Sequence, residues 1–349
     1  MHTGLRVRTL IYTLFFCAAS MGGMLVFADN KAITIANVAQ DQVAEEGDFS
    51  VNSPNGTGEA GKLRFRPGDE EADYLCIPLE EGIKAENVTM ENHYMERQMW
   101  IYIKGSSPDY YAGEAVSGDI SCIEAGSFEY AKDTVLLKFC LTDVYEYKST
   151  MEENHLYIEF VPPGEVYDKI LVIDAGGGGE ETGYQGNGLV EKDVTLDLVK
   201  RLKLLLEGTD IKVYYTRTED TNPSAESRVG LANAVGADMF ISIRLNSSED
   251  TSVYGTEALY NESYFLPDFG SIELADLVER YVVTGISGRG NGLYAAKDSD
   301  IIIQDAKVPV TAIQVGYVSN EKEAGLLQTK EYRDRIAEGL YQAVLEAFK

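Results

Sequence analysis

Residues 169–176, KILVIDAG, decide the fold. Ile170 to Ile173 form an unbroken apolar run between Lys169 and Asp174, and the segment ends at Gly176. A short run of this kind reads as a strand buried on both faces, as in a parallel sheet. Further along, Glu191 to Leu206 places Val194, Leu198, Leu202 and Leu205 at helical spacing. IKVYYTR (211–217) reads as a strand, Ser224 to Val235 as a helix with Ser224 as N-cap, and ADMFISIRL (237–245) as an apolar strand. GTEALY (255–260), a helix near 271–284, GLYAA (292–296), VPVTAIQVG (308–316) and a terminal helix over 330–347 continue the alternation. This order predicts an α/β domain over 167–349, with a mainly parallel sheet and helices on both faces. Ligands of such sheets bind outside the carboxyl ends of the strands.

Towards the N-terminus the pattern changes. VPPGE (161–165) reads as a stiff, helix-incompatible linker. Residues 31–163 carry LRFR, DYLCIPL, QMWIYIKG, GDISCIEAG, TVLLKFCL and HLYIEFV, separated by Gly, Asn, Asp and Ser. They predict a smaller all-β module, an antiparallel sandwich or barrel, with a mobile loop over 41–61. Trp100, Tyr110, Tyr111, Tyr145 and Tyr147 read either as a sugar- or peptide-binding surface or as strand residues chosen for β propensity. Before this, Arg6 and Arg8 precede an uncharged stretch, 9–27, that ends in Val26, Phe27 and Ala28. That layout marks residues 1–28 as a cleaved secretory signal or an uncleaved anchor, and either puts the remainder outside the cytoplasm. Cys76, Cys122 and Cys140 then form an odd set: one disulfide and a thiol, or three inert thiols in strand interiors.

Composition excludes several chemistries. The formal charge is −27, from 57 acidic and 30 basic residues, which argues against nucleic acid and anionic lipid as partners. The histidines are His2, His93 and His155, so imidazole is absent from the second half. The glycine run at 176–179 lacks both the Gly-Lys-Ser/Thr of a Walker loop and the G-x-G-x-x-G register, and it is followed by acids.

Residues 169–348 resemble the catalytic domain of zinc-dependent N-acetylmuramoyl-L-alanine amidases of the amidase-3 type. The resemblance rests on ILVIDAG, GLVEKDVTLDLVKRLKLLL, IKVYYTRTED, SRVGLAN, ADMFISI, RGNGLY, VPVTAIQVGYVSN and KEYRDRIAEGLYQAVL. It implies cleavage of the amide between the lactyl group of muramic acid and L-alanine of the peptidoglycan stem peptide. It also implies a Zn²⁺ held by His, Glu and His, with a further Glu as general base. A β-rich wall-targeting module often precedes such domains, and 31–163 has that position. On the matching positions, the first His falls on Gly177, the Glu ligand on Glu191, the second His on Arg244 and the general base on Gln314. Only Glu191 is retained. Arg244 has no acceptor and carries a fixed positive charge, and Gln314 cannot take a proton.

The expected protein is therefore a secreted or membrane-anchored component of the bacterial cell envelope with an amidase fold, and no cofactor is expected. Its expected partners are peptidoglycan or its stem peptide, or a wall hydrolase or division protein that it regulates. The alternative is an active amidase with zinc. Asp174, Arg228 and Asn246 are expected in the cleft, and Ser319 and Asn320 in turn hydrogen bonds. Arg244 is expected to pair with Glu191 in the space of the metal, or both to be solvated at the cleft edge. Asp174, Glu180, Glu181 and Glu191 offer an oxygen-rich Ca²⁺ or Mg²⁺ site, which Arg244 opposes. If the scaffold is otherwise intact, changing Gly177 and Arg244 to His and Gln314 to Glu should restore zinc affinity.

Overall fold

A computed structural model describes residues 33–34, 60–68, 73–263 and 266–349. The signal or anchor segment and nearly all of the 41–61 loop lie outside them. The chain divides into two compact units, Met1–Val161 and Pro162–Lys349.

In the first unit two sheets share a core. One runs in the order Ile33–Thr34, Glu146–Glu152, His155–Val161, Leu75–Pro78, Ala115–Gly118 and Arg64–Pro67. The other runs Ala60–Lys62, Ile123–Ala131, Thr134–Leu141, Gln98–Lys104 and Val88–His93. Pairing is antiparallel except between Arg64–Pro67 and Ala115–Gly118. Met90, Met99 and Ile101 from one sheet meet Ile77, Leu156 and Ile158 from the other, all fully buried. Period-two alternation explains the split: Met99, Ile101 and Ile103 face the core while Gln98, Trp100 and Tyr102 face away. Two readings need correction. Tyr110 and Tyr111 lie in a short helix, Pro108–Gly113, whose first residue is a proline that needs no N–H there. Cys122 sits in the turn before the Ile123–Ala131 strand rather than inside a strand. Cys76, Cys122 and Cys140 are all free thiols. Tyr111 is core, its hydroxyl donating to Pro78 O at 3.1 Å, and Trp100 stacks on His93 at 4.0 Å.

The second unit begins with a further correction. Residues Pro163–Val166 form a helical turn, because proline is suited to a first turn though not to a helix interior. Beyond it lie strands β1 (Ile170–Ala175), β2 (Lys212–Tyr215), β3 (Met239–Asn246), β4 (Thr256–Tyr260), β5 (Gly290–Ala295) and β6 (Val310–Tyr317). The helices are α1 (Glu191–Leu206), α2 (Ala225–Ala234), α3 (Ser271–Ile286), α4 (Ile301–Gln304), α5 (Glu321–Leu327) and α6 (Lys330–Ala347). Sheet order is β2-β1-β3-β6-β4-β5. The first four strands are mutually parallel; β4 is antiparallel to β6 and parallel to β5. Helices α1, α3 and α6 pack with one face, and α2 and α4 pack on the other. Ser224 caps α2, accepting from Ser227 N–H, as its position predicts.

β1 is buried throughout, and β3 and β6 each have one residue that is not. Those residues are Arg244 and Gln314, directly opposite each other in register. Where α3 and α6 cross, Gly339 allows the backbones to touch: a Cβ there would stand 2.9 Å from Tyr281 O and Val282 Cα. Gly339→Ala should therefore lower the thermal unfolding midpoint, although helix propensity alone favours alanine by about 1 kcal/mol. A raised midpoint would show that the crossing is loose.

Candidate functional site

Strand register assembles the site. Paired residues of neighbouring strands share a face, as do residues two apart. Asp174 pairs with Ser242, Ser242 precedes Arg244 by two, Arg244 pairs with Gln314, and Gln314 pairs with Glu257. Five polar side chains thus share one face at the carboxyl ends of the parallel strands. They meet the glycine loop after β1 and the N-terminus of α1. Here lies a cavity of about 1120 Å³ lined by Gly177, Glu191, Arg228, Arg244, Asn246 and Gln314, among others.

Asp174 lies beneath this cavity with no solvent exposure. Its carboxylate accepts from Thr216 Oγ1, Ser242 Oγ and Arg228 Nη1, each at 2.6 Å. Burial opposes its charge, but Arg228 and the two hydroxyls hold the carboxyl below its ordinary value. Arg228 also donates to Ala175 O at 2.7 Å and Gly177 O at 2.8 Å. Arg217, which sequence reasoning missed, donates to Ala175 O, Gly176 O and Lys192 O at 2.9–3.0 Å. Two buried guanidiniums therefore fix the carbonyls of the glycine loop. Gly177 takes φ +69°, and a Cβ there would stand 2.8 Å from Glu181 O and 3.1 Å from Lys192 Cβ. The loop is shaped around the missing side chain.

Glu191 opens α1 and is 6% exposed. Its Oε2 accepts from Tyr184 N–H at 2.8 Å and its Oε1 from Leu245 N–H at 2.9 Å. Glu191 N–H donates to Tyr184 O at 2.9 Å, so the two residues bond reciprocally. Burial pushes the carboxyl above the ordinary glutamate value, against the pull of the two N–H donors and nearby Arg244. The expected Glu191–Arg244 pair does not form. Arg244 instead clasps Asp300 with both arms, Nη1 to Oδ2 at 2.6 Å and Nη2 to Oδ1 at 3.2 Å, and its Nε donates to Ser242 Oγ at 3.1 Å. The geometry differs: both oxygens of Glu191 face backbone donors, while Asp300 offers a bidentate fork. Burial disfavours the guanidinium charge, but Asp300 more than offsets this and lifts Arg244 above its ordinary value.

Gln314 Oε1 accepts from Asn246 Nδ2 at 3.1 Å, and the same amide donates to Glu257 Oε1 at 2.6 Å. Glu257 Oε2 accepts from the Tyr317 hydroxyl at 3.0 Å. Burial and this carboxylate raise the Tyr317 phenol well above its usual value, so it stays a donor. Glu257 also escaped sequence reasoning, because the pairing of its strand with β6 is not sequential. Ser319 and Asn320 do turn work: Ser319 Oγ accepts from Ser248 N–H, and Asn320 caps α5 by accepting from Glu323 N–H. Among the described residues no three His, Cys, Asp or Glu side chains gather as metal ligands. Asp174, Glu180, Glu181 and Glu191 do not converge as an oxygen cage.

Residues 171–346 match the family described as N-acetylmuramoyl-L-alanine amidase. The N-acetylmuramoyl-L-alanine amidase LytC of Bacillus subtilis is 28% identical over 184 residues, 53% of this chain and 36% of LytC. This chain thus spans little more than a third of that relative. The germination-specific N-acetylmuramoyl-L-alanine amidase of the same organism is 30% identical over 196 residues, covering 52% of this chain and 80% of that protein. Among solved structures, the catalytic domain of the amidase CwlV from Bacillus (Paenibacillus) polymyxa var. colistinus superposes with a TM-score of 0.48. It is 28% identical and covers 52% of this chain and 98% of that one.

The two carboxyls predict opposite linkage. Glu191, raised on folding, favours the folded state most below the ordinary glutamate range, and this weakens as pH rises through the raised value. Asp174, lowered on folding, contributes above the ordinary aspartate range and loses that as pH falls through its depressed value. Glu191→Gln removes one of two acceptors and leaves a buried N–H facing an amide donor. It should cost about 1–3 kcal/mol in chemical denaturation of the full chain. A neutral effect would mean that Glu191 is solvated rather than structural.

Proposed function

Because this chain belongs to the N-acetylmuramoyl-L-alanine amidase family, we propose that it binds peptidoglycan at the muramoyl–L-alanine linkage without hydrolysing it. It acts in the bacterial cell envelope, secreted or membrane-anchored, as a recognition or regulatory partner of wall hydrolysis.

The observation that carries this reading is the Arg244–Asp300 pair inside the cleft. Zinc does not suit the residues present. Arg244 is a guanidinium with no lone pair to give a metal, and Asp300 already occupies both of its arms. Glu191 is the single side chain among the expected ligand positions with a lone pair for a metal, and backbone N–H groups hold both of its oxygens. Gly177 offers no ligand atom. Catalytic zinc needs three protein ligands and an open position, and neither the ligands nor a general base at Gln314 is available. The cleft nevertheless keeps its polar lining, and binding does not depend on the groups that only the transition state uses.

The amidase assay tests this reading. Purified full-length chain incubated with peptidoglycan should release no new L-alanine amino termini, yet sediment with the sacculi. Turnover that Glu191→Ala abolishes would establish an active amidase instead. The triple variant Gly177→His, Arg244→His, Gln314→Glu restores the family ligand set by position only. With no room for a Cβ at 177, the folded triple variant should bind no stoichiometric zinc by mass spectrometry of the metal content. Full zinc occupancy would show that the loop yields easily and that side-chain loss alone disabled the site.

A further inference from the structure

The segment after β5 forms one wall of the cleft. Its ends are anchored: Ala296 N–H donates to Tyr260 O at 2.9 Å, and Asn261 Nδ2 donates to Ile303 O at 2.8 Å. Between them, the polar contact that ties residues 297–302 to the sheet, among the described residues, is Asp300 with Arg244. Ile301 and Ile302 are half-buried and line the cleft beside it. The pair continues inward: Asp300 holds Arg244, Arg244 holds Ser242, Ser242 donates to Asp174, and Asp174 holds Arg228.

Charge in the cleft follows from this pairing. Arg228 is spent on Asp174 and Arg244 on Asp300. Lys297 is exposed at the rim. Among the described residues no cation lies within ion-pair distance of Glu181, Glu191 or Glu257, which line the same cavity. A guanidinium in such a cleft would ordinarily attract a carboxylate, but Asp300 occupies both of its arms. The remaining balance is negative, and the wall that Asp300 holds in place presents Ile301 and Ile302 beside Lys297 and Ser299.

Resting on the binding reading above, we infer that Asp300 is a specificity-determining residue: by neutralising Arg244 it makes the cleft select the uncleaved, neutral muramoyl amide and reject the free lactyl carboxylate that amidases leave behind. The two ligand forms differ at the lactyl acyl group, a neutral amide that carries alanine against a free carboxylate. The cleft discriminates by charge there, because juxtaposing like charges in a partly desolvated site costs several kcal/mol. The chain thereby reads whether a wall strand still carries its peptide.

The test compares equilibrium binding of N-acetylmuramoyl-L-alaninamide and N-acetylmuramic acid to the full chain by calorimetry. The wild type should favour the amide by about tenfold or more. Asp300→Asn should free the Arg244 charge and raise affinity for the acid at least about tenfold, cancelling or reversing the preference. Arg244→Gln with Asp300→Asn keeps a hydrogen-bonded, neutral pair and should return the wild-type preference. A merely structural Asp300 would weaken both ligands alike and leave the ratio unchanged, which overturns the inference. If Asp300→Asn does not fold, the wild-type ratio carries the test, since a charge-set preference narrows as ionic strength rises. Equal wild-type affinity for both ligands overturns this inference alone. Failure to bind either ligand overturns the binding reading and the inference with it.

Discussion

The site depends on one run of alternating charge: Asp300, Arg244, Asp174 and Arg228, linked through Ser242. Each member is buried or nearly so, with side-chain exposure from 0% to 19%. Isolated charges at such depth are costly, and removing one partner of a buried pair typically costs about 3–5 kcal/mol. The run closes that cost internally, since every cation has an anion and every anion a cation. It also joins two walls of the cleft, because Arg228 holds the glycine loop through Gly177 O and Asp300 holds the 297–302 segment.

This organisation gives Arg244, Gln314 and Gly177 a common setting. A guanidinium at 244 is tolerable because Asp300 answers it. The amide at 314 suits a neighbour, Glu257, whose carboxylate already shares the Asn246 donor; a second carboxylate there would face it directly across the strands. Glycine at 177 lets the loop adopt a positive φ and close against Glu181 O. Glu191 is held by Tyr184 and Leu245 and ties the loop to the end of β3.

Much of this was legible in the sequence, for physical reasons. Continuous apolar runs mark β1, β3 and β6 because those strands are buried on both faces, and the 3.6 period survives in α1 because one side of it is buried. The Ser224 cap was legible because its chemistry is local. Asp300 was not, because it lies 56 residues from Arg244, in a loop with no motif, and only tertiary structure brings the two together. Arg217 and Glu257 were missed for the same reason: each looks like an ordinary strand-end charge until its partners are known. The Pro162-Pro163 linker was misread because proline breaks a helix interior but suits its first turn, and Tyr110 and Tyr111 because their β propensity yielded to the helix that Pro108 opens.

The central proposal is that the Arg244–Asp300 ion pair takes the place that the resemblance assigns to a metal. Its most direct test is the zinc content of the purified full-length chain, measured per folded molecule after incubation with excess zinc and desalting. The account predicts no stoichiometric zinc. One zinc per chain, lost in Glu191→Ala, would contradict it.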